Sequence, residues 1–268
     1  IHSLFPDKSE TLLIGVSGGV DSMLLLDILV SEGYQCLVAH CNFGLRGEDS
    51  DMDEAFVADW CASRDVEVLV KHIDLNPALD DGLSIQMAAR EARYSWFSSL
   101  LAERELKAIL IGSHKSDNAE TVLLNLTRGM GHQSLTGMET VLHGVVRPLL
   151  PYAKGEIVDL AKKRGLKWRE DASNASNKYE RNVIRNIVMP ELVNLRPNAI
   201  DNINQSAMAR QQSFALLHDV IGLWKHQYAA EKHDEFFFNF KGFEVVSEPE
   251  LLLFELVKLH GFTHHSVV

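Results

Sequence analysis

The chain has 268 residues, 46% of them apolar, and a formal net charge of −11. That length and apolar share support a buried core in one large or two small domains and exclude a disordered chain. The acidic balance argues against a general nucleic-acid binder, and no run of about 18 uncharged apolar residues offers a membrane-spanning helix. Residues 1–10, with Asp7, Lys8 and Glu10, lack a signal-peptide pattern. Cys36, Cys41 and Cys61 form no C-x-x-C pair and read as reduced thiols of a cytosolic protein.

In chain order, the apolar run Thr11–Val16 reads as a buried strand, and Met23–Val30 has helical character and ends at Gly33, a C-cap residue. Between them lies Ser17-Gly18-Gly19-Val20-Asp21-Ser22, a glycine-rich turn from strand into helix. Adjacent glycines let the backbone approach a ligand, and the helix N-terminus adds free N–H groups and partial positive charge. With the hydroxyls of Ser17 and Ser22, this makes a cradle for phosphate or pyrophosphate. No Lys follows the glycines, so it is not a Walker A loop, and Asp21 is placed to hold a metal ion instead. An ordinary βα turn is the bland alternative.

Gln35–His40 reads as a second strand, followed by the polar segment Cys41–Ser50. A helix is expected over Asp53–Ala62, a third strand over Glu67–Ile73 and a polar loop over Asp74–Gly82. A long helix capped by Ser84 runs to about Glu105. Lys107–Gly112 is the fourth strand and Asp117–Arg128 the fourth helix; Val145–Leu149 is the fifth strand, followed by a helix over Gly155–Arg164. Alternating strands and helices with short links predict an α/β fold. It would be a doubly wound, parallel, five-stranded Rossmann-like sheet covered on both faces, with ligands beyond the carboxyl ends of the strands. Beyond Pro190 the pattern changes. Asn198–Lys232 is almost uniformly helical, Phe236–Phe243 reads as β or loop, and Pro249–Leu259 as a helix. The division expected is therefore a catalytic domain over 1–190 and a small helical domain over 191–268. Ile1 is compatible with a trimmed start, and Thr263–Val268 stops without a structural signal, compatible with a further domain beyond it.

The chemistry-bearing residues cluster at the expected strand ends. His40 and Arg46 follow the second strand, one suited to a base and the other to phosphate. Arg90 and Arg93 lie three apart on one helical face, where two cations suit phosphate or developing negative charge. His114, Asp117 and Glu120 open the fourth helix, where acidic groups also serve as caps. Glu170–Asn174 leads to Arg181 and Arg185, four apart on one face. For each pair a solvated helix face remains an alternative. Residues 154–185 hold nine basic and five acidic side chains, whereas residues 1–60 hold two and eleven. A locally basic segment on an acidic chain suits a limited polyanion contact.

The loop Ser17–Ser22 resembles the pyrophosphate loop of the ATP pyrophosphatase superfamily, within the adenine nucleotide alpha hydrolase-like folds. With His40–Arg46, Gln86–Arg90 followed by Arg93-Tyr94, His114–Thr121 with Arg128-Gly129, Arg147–Leu150, and Glu170–Asn174 with Arg181–Arg185, residues 11–190 resemble the tRNA(Ile)-lysidine synthase family. The resemblance implies ATP-dependent ligation of free L-lysine to C2 of the wobble cytidine of an isoleucine tRNA with a CAU anticodon. It implies ATP bound by Ser17, Gly18, Gly19, Val20, Asp21 and Ser22, with adenine near Ala39 and His40, and Mg2+ on Asp21 and Asp117. Asp21, Asp117, His114, Arg181 and Arg93 would be catalytic, Glu120 would hold the lysine amine, and Arg46, Arg90 and Arg185 would contact tRNA. A homodimer is left open, and no membrane partner is implied. Two positions depart from the family's form: Ser116 stands where the first of two carboxyl or amide residues is usual, and Phe43 where a second histidine is usual. A tRNA thiolase of the same superfamily and a non-catalytic nucleotide-binding regulator are the competing functions.

Overall fold

The computed structural model describes residues 1–76, 84–129, 135–170, 177, 179–232, 235–258 and 262. The expected Asp74–Gly82 loop, the Gly129–Gly131 turn, the Glu170–Asn174 segment and the Thr263–Val268 end lie wholly or partly outside these residues.

The centre is a sheet of six strands: β1 (Thr11–Gly15), β2 (Gln35–Asn42), β3 (Glu67–His72), β4 (Ile109–Ile111), β5 (Val141–Leu142) and β6 (Val145–Val146), in the order β3-β2-β1-β4-β6-β5. All neighbours pair in parallel except β5 with β6. In register, Leu13 sits between Leu37 and Ile109, and Ile14 between Val38 and Leu110. Successive strand side chains point to opposite faces. Leu12, Ile14, Val38 and Leu110 therefore enter one core while Leu13, Leu37, Ala39 and Ile109 enter another.

The first core is closed by α1 (Val20–Ser31), α2 (Glu48–Ala62) and α5 (Lys154–Lys163), through Met23, Leu25, Val57, Trp60, Ile157 and Ala161. The second is closed by Trp96, Phe97 and Leu100 of α3 (Ile85–Glu103). The sheet is thus α/β and doubly wound, as expected, but with one strand more. The expected fifth strand, Val145–Leu149, shrinks to Val145–Val146 and gains an antiparallel edge partner. Its two-residue turn, His143 and Gly144, has φ of 48° and 76°, the positive pair that tight hairpins with matching twist require.

The α4 helix (Lys115–Thr127) is followed later by α6 (Glu180–Val183), a π-helical segment (Ile184–Val188) and α7 (Met189–Leu195). Next comes α8 (Ala199–Tyr228), a 30-residue helix. The chain divides into two compact units, Ile1–Ala207 and Met208–Val268. The first runs past residue 190 because Ile184, Met189, Leu192, Ile200 and Ile203 pack with Ala119 and Leu123 of α4.

In the second unit α8 stops at Tyr228 instead of Lys232, giving way to the hairpin β7 (Ala229–Lys232) and β8 (Glu235–Phe238). These, with α9 (Pro249–Val257), surround Ile221, Trp224, Leu252 and Leu256. The Trp224 indole N–H donates to the Gly242 carbonyl at 2.7 Å.

Candidate active site

The glycine-rich loop leaves β1 and enters α1 with Gly19 as the N-cap residue. Gly18 has φ of 88°, a left-handed conformation that glycine adopts without steric cost. The loop is braced by its own serines. The Ser22 hydroxyl donates to the Gly19 carbonyl at 3.0 Å and accepts the Ser17 N–H at 3.1 Å. The Gly19 N–H is only loosely engaged, 3.5 Å from the Ser17 hydroxyl. Beneath the loop, β4 is followed by Gly112. A Cβ there would lie 2.8 Å from the Asp21 carbonyl carbon and 2.9 Å from the Ser22 nitrogen, so the backbone of α1 rests directly on this glycine. Sequence reading gave Gly112 no such role; the signal was a glycine ending a buried strand.

Ala39 and His40, at the end of β2, are both buried. The Ala39 carbonyl accepts the Val16 N–H, and His40 Nδ1 donates to the Val16 carbonyl at 2.9 Å, so both residues hold the entry to the loop. Burial holds the His40 imidazole below its ordinary pKa, with Arg93 acting in the same direction and the Val16 bond, Glu54 and Asp53 opposing. The shift favours the neutral ring.

Around α4 the charges interlock. His114 caps the helix in a reciprocal box with Asp117, its N–H donating to the Asp117 carboxylate at 3.0 Å. Its Nε2 lies 3.4 Å from Asp117 and 3.8 Å from Asp21, so the carboxylates expected to share a metal converge on one ring. These carboxylates are the oxygen donors beside the loop that a hard cation could use; among the described residues no group of three or more His, Cys, Asp or Glu gathers as a metal centre.

Glu120 is 2% exposed and receives Arg181 Nε at 3.0 Å and Arg185 Nε at 2.7 Å. Arg185 also reaches Asp117 at 2.9 Å and Arg181 reaches it at 3.4 Å. Burial works against the Arg185 charge, but its bond to Glu120 and the carboxylates of Glu120, Asp117 and Asp21 raise its pKa above the ordinary value. The expected site residues Asp21, His114, Asp117, Glu120, Arg181 and Arg185 are thus one connected array.

The remaining arginines sit differently. Arg93 stacks over Phe43, the residue that stands where the family's second histidine is usual, 5.3 Å from its ring centroid. Arg90 is exposed and stacks over Tyr94, while Arg46 is ion-paired to Asp53. Ser116 lies in the first turn of α4. Lys154, at the start of α5, went unnoticed in the sequence. Its ammonium donates to both Asp21 oxygens, at 2.8 and 2.7 Å, bringing to the loop the cation that the loop's own sequence lacks. A lysine in the first turn of a helix runs against the helix dipole, the one local hint that was available.

A glycine-rich phosphate cradle at a strand-to-helix turn of a parallel sheet, with acidic and basic groups converging on it, defines a nucleotide-binding α/β domain. The PP-loop domain family matches residues 1–192, and the chain belongs to it. Its relatives include tRNA(Ile)-lysidine synthase of Parabacteroides distasonis, 37% identical over 259 residues that make up 96% of this chain and 58% of that one. The tRNA(Ile)-lysidine synthase of Porphyromonas gingivalis is 41% identical over 201 residues, 74% of this chain and 44% of that one. The resemblance read from the motifs holds, and the chain spans about half the length of these relatives. Among solved structures, the U34-tRNA thiolase NcsA of Methanococcus maripaludis with its [4Fe-4S] cluster superposes with a TM-score of 0.62 at 18% identity. The match covers 75% of this chain and 72% of that one, a likeness of fold.

Proposed function

We propose that the chain ligates L-lysine to C2 of the wobble cytidine of an isoleucine tRNA, using ATP through an adenylated cytidine. The observation that carries this reading is the Glu120–Arg181–Arg185 array. It joins the phosphate-loop side of the site through Asp117 and His114, so acceptor groups and ATP groups share one strand edge. The named relatives support the same reading.

The N–H groups of Ser17–Ser22 receive the β- and γ-phosphates, with adenine lodged beside the end of β2 at Ala39 and His40. Asp21 and Asp117 would hold Mg2+, which supplies neutralisation of phosphate charge when bound. The C2 oxygen of cytidine attacks the α-phosphorus, and the bond to pyrophosphate breaks. The ε-amine of lysine then attacks C2, its proton is lost, and AMP leaves. Glu120 binds a lysine ammonium, exchanging part of its pairing with the arginines. Arg181 and Arg93 offset developing negative charge, and Arg46, Arg90 and Arg185 contact the tRNA. An anticodon loop presents the base already unstacked. The second unit is assigned to the tRNA body, and the array works in one chain or in a homodimer.

The thiolase alternative is not favoured, because Cys36, Cys41 and Cys61 have none of the paired spacing that thiolation chemistry draws on, and burial pushes their thiols up. Incubation with ATP, labelled lysine and unmodified isoleucine tRNA is the test. Lysine-dependent labelling with pyrophosphate release is expected. Pyrophosphate release with no transfer of labelled lysine to the tRNA, all three substrates being present, would overturn the assignment.

A further inference from the structure

Asp53 on α2 belongs to none of the groups assigned above, yet it is buried, with only 7% of its surface exposed. Its two oxygens take different partners. Oδ2 receives the Arg46 guanidinium and Oδ1 receives Arg169 Nε. Asp49 stands 3.7 Å from Arg169 on its outer side. A carboxylate removed from water costs several kcal/mol unless its charge is met, and here two cations meet it.

The consequence reaches the phosphate loop through the backbone. The Arg169 N–H donates to the Gly18 carbonyl at 3.0 Å. In a planar trans peptide the carbonyl and the following N–H point in opposite directions. Fixing the Gly18 carbonyl on Arg169 therefore fixes the Gly19 N–H toward the loop interior. That N–H is the loosely engaged donor, 3.5 Å from the Ser17 hydroxyl, and so can be taken over by a phosphate oxygen without being turned. Because Gly18 is a left-handed glycine, the loop itself does little to hold this peptide in one orientation. The brace must come from outside. The α2 helix supplies it, lying close beneath Gly18, where a Cβ would meet Val57 at 3.6 Å and Asp53 at 3.9 Å.

We propose that Asp53 is the positioning residue of the nucleotide site. By anchoring the Arg169 side chain it holds the Arg169 N–H on the Gly18 carbonyl, and so presets the Gly19 N–H for the pyrophosphate of ATP. The same carboxylate ties the His40–Arg46 segment to the loop, so the phosphate loop, the segment after β2 and the Arg169 segment share one clamp. The inference rests on the loop binding ATP but not on the acceptor being a tRNA cytidine.

The test is equilibrium ATP binding by the whole chain, without lysine or tRNA, so a wrong acceptor leaves it intact. Asp53→Asn and Arg169→Gln are each expected to weaken ATP binding about tenfold. The double variant should be no weaker than either single one, since both break the same link. Arg169→Lys, keeping the charge, should recover part of the loss, and unfolding midpoints of the Arg169 variants should stay near wild type. Should Asp53→Asn fail to fold, the Arg169 pair carries the test alone, because its side chain is partly exposed. Unchanged ATP affinity in Arg169→Gln, additive losses in the double variant, or losses that track a fall in unfolding midpoint would each overturn the proposal.

Discussion

At the scale of single residues the site works by matched charges. Lys154 neutralises Asp21 in the free protein, and its side chain, 44% exposed, is free to swing to a phosphate oxygen once nucleotide arrives. Lys154→Gln is expected to raise the KM for ATP by about tenfold and Lys154→Arg to restore most of it, measured by pyrophosphate release over an ATP titration. An unchanged KM would leave Lys154 a surface partner of Asp21 only. His40 gives a pH signature. Its folded pKa lies below the unfolded one, so the unfolded chain binds the extra proton as the pH falls. The neutral ring's contribution is complete above the unfolded pKa and is lost progressively below about pH 6.5. The thermal midpoint should therefore fall between about pH 7.5 and about pH 5.5, and the fall should shrink in His40→Asn. An equal fall in both proteins would place the titration elsewhere.

At the scale of elements, what matters is how closely they approach. The α1 helix is legible because Met23, Leu24, Leu25, Leu26 and Leu29 form one apolar block after a glycine turn, and every one of them is buried. Its N-terminus can present the loop only because the residue that follows β4, Gly112, has no side chain. Gly112→Ala would push a methyl group to 2.8 Å from the Asp21 backbone carbon, and neither α1 nor the sheet can give way cheaply. A loss of about 1–3 kcal/mol is expected, together with reduced pyrophosphate release. Calorimetric unfolding and the release assay read the two separately, and wild-type values in both would mean the contact relaxes freely. The β5–β6 hairpin escaped sequence reading because two-residue strands carry no alternation, and His143-Gly144 is not among the dipeptides that announce a tight turn most strongly. Helical character continues in the sequence past the end of α8 because Ala229–Lys232 has no breaker, and only pairing with the phenylalanines of β8 turns it into a strand.

At the scale of the whole molecule the chain carries a net charge of −11, and residues 154–185 are a segment where cations outnumber anions, nine to five. Lys162, Lys163 and Lys167 are exposed, whereas Arg181 and Arg185 face carboxylates. Such a chain meets few phosphates at once. A plot of log affinity for isoleucine tRNA against log salt concentration should have a slope no steeper than about −4. A slope near that of general binders, about −10, would show a phosphate contact far broader than this basic segment offers.

The sequence by itself determined the α/β class, the phosphate loop and most of the members of the charged array. Each of these rests on local spacing: glycines between two apolar runs, His114, Asp117 and Glu120 at a helix start, Arg181 and Arg185 one turn apart. Only the tertiary structure decided which charges meet. Lys154 reaches Asp21 across 133 positions, Arg169 reaches Asp53 across 116, and Arg185 reaches Glu120 across 65. A parallel sheet gathers the carboxyl ends of strands that are far apart in the chain, so pairings at that edge are set by strand order and register, which no local pattern encodes.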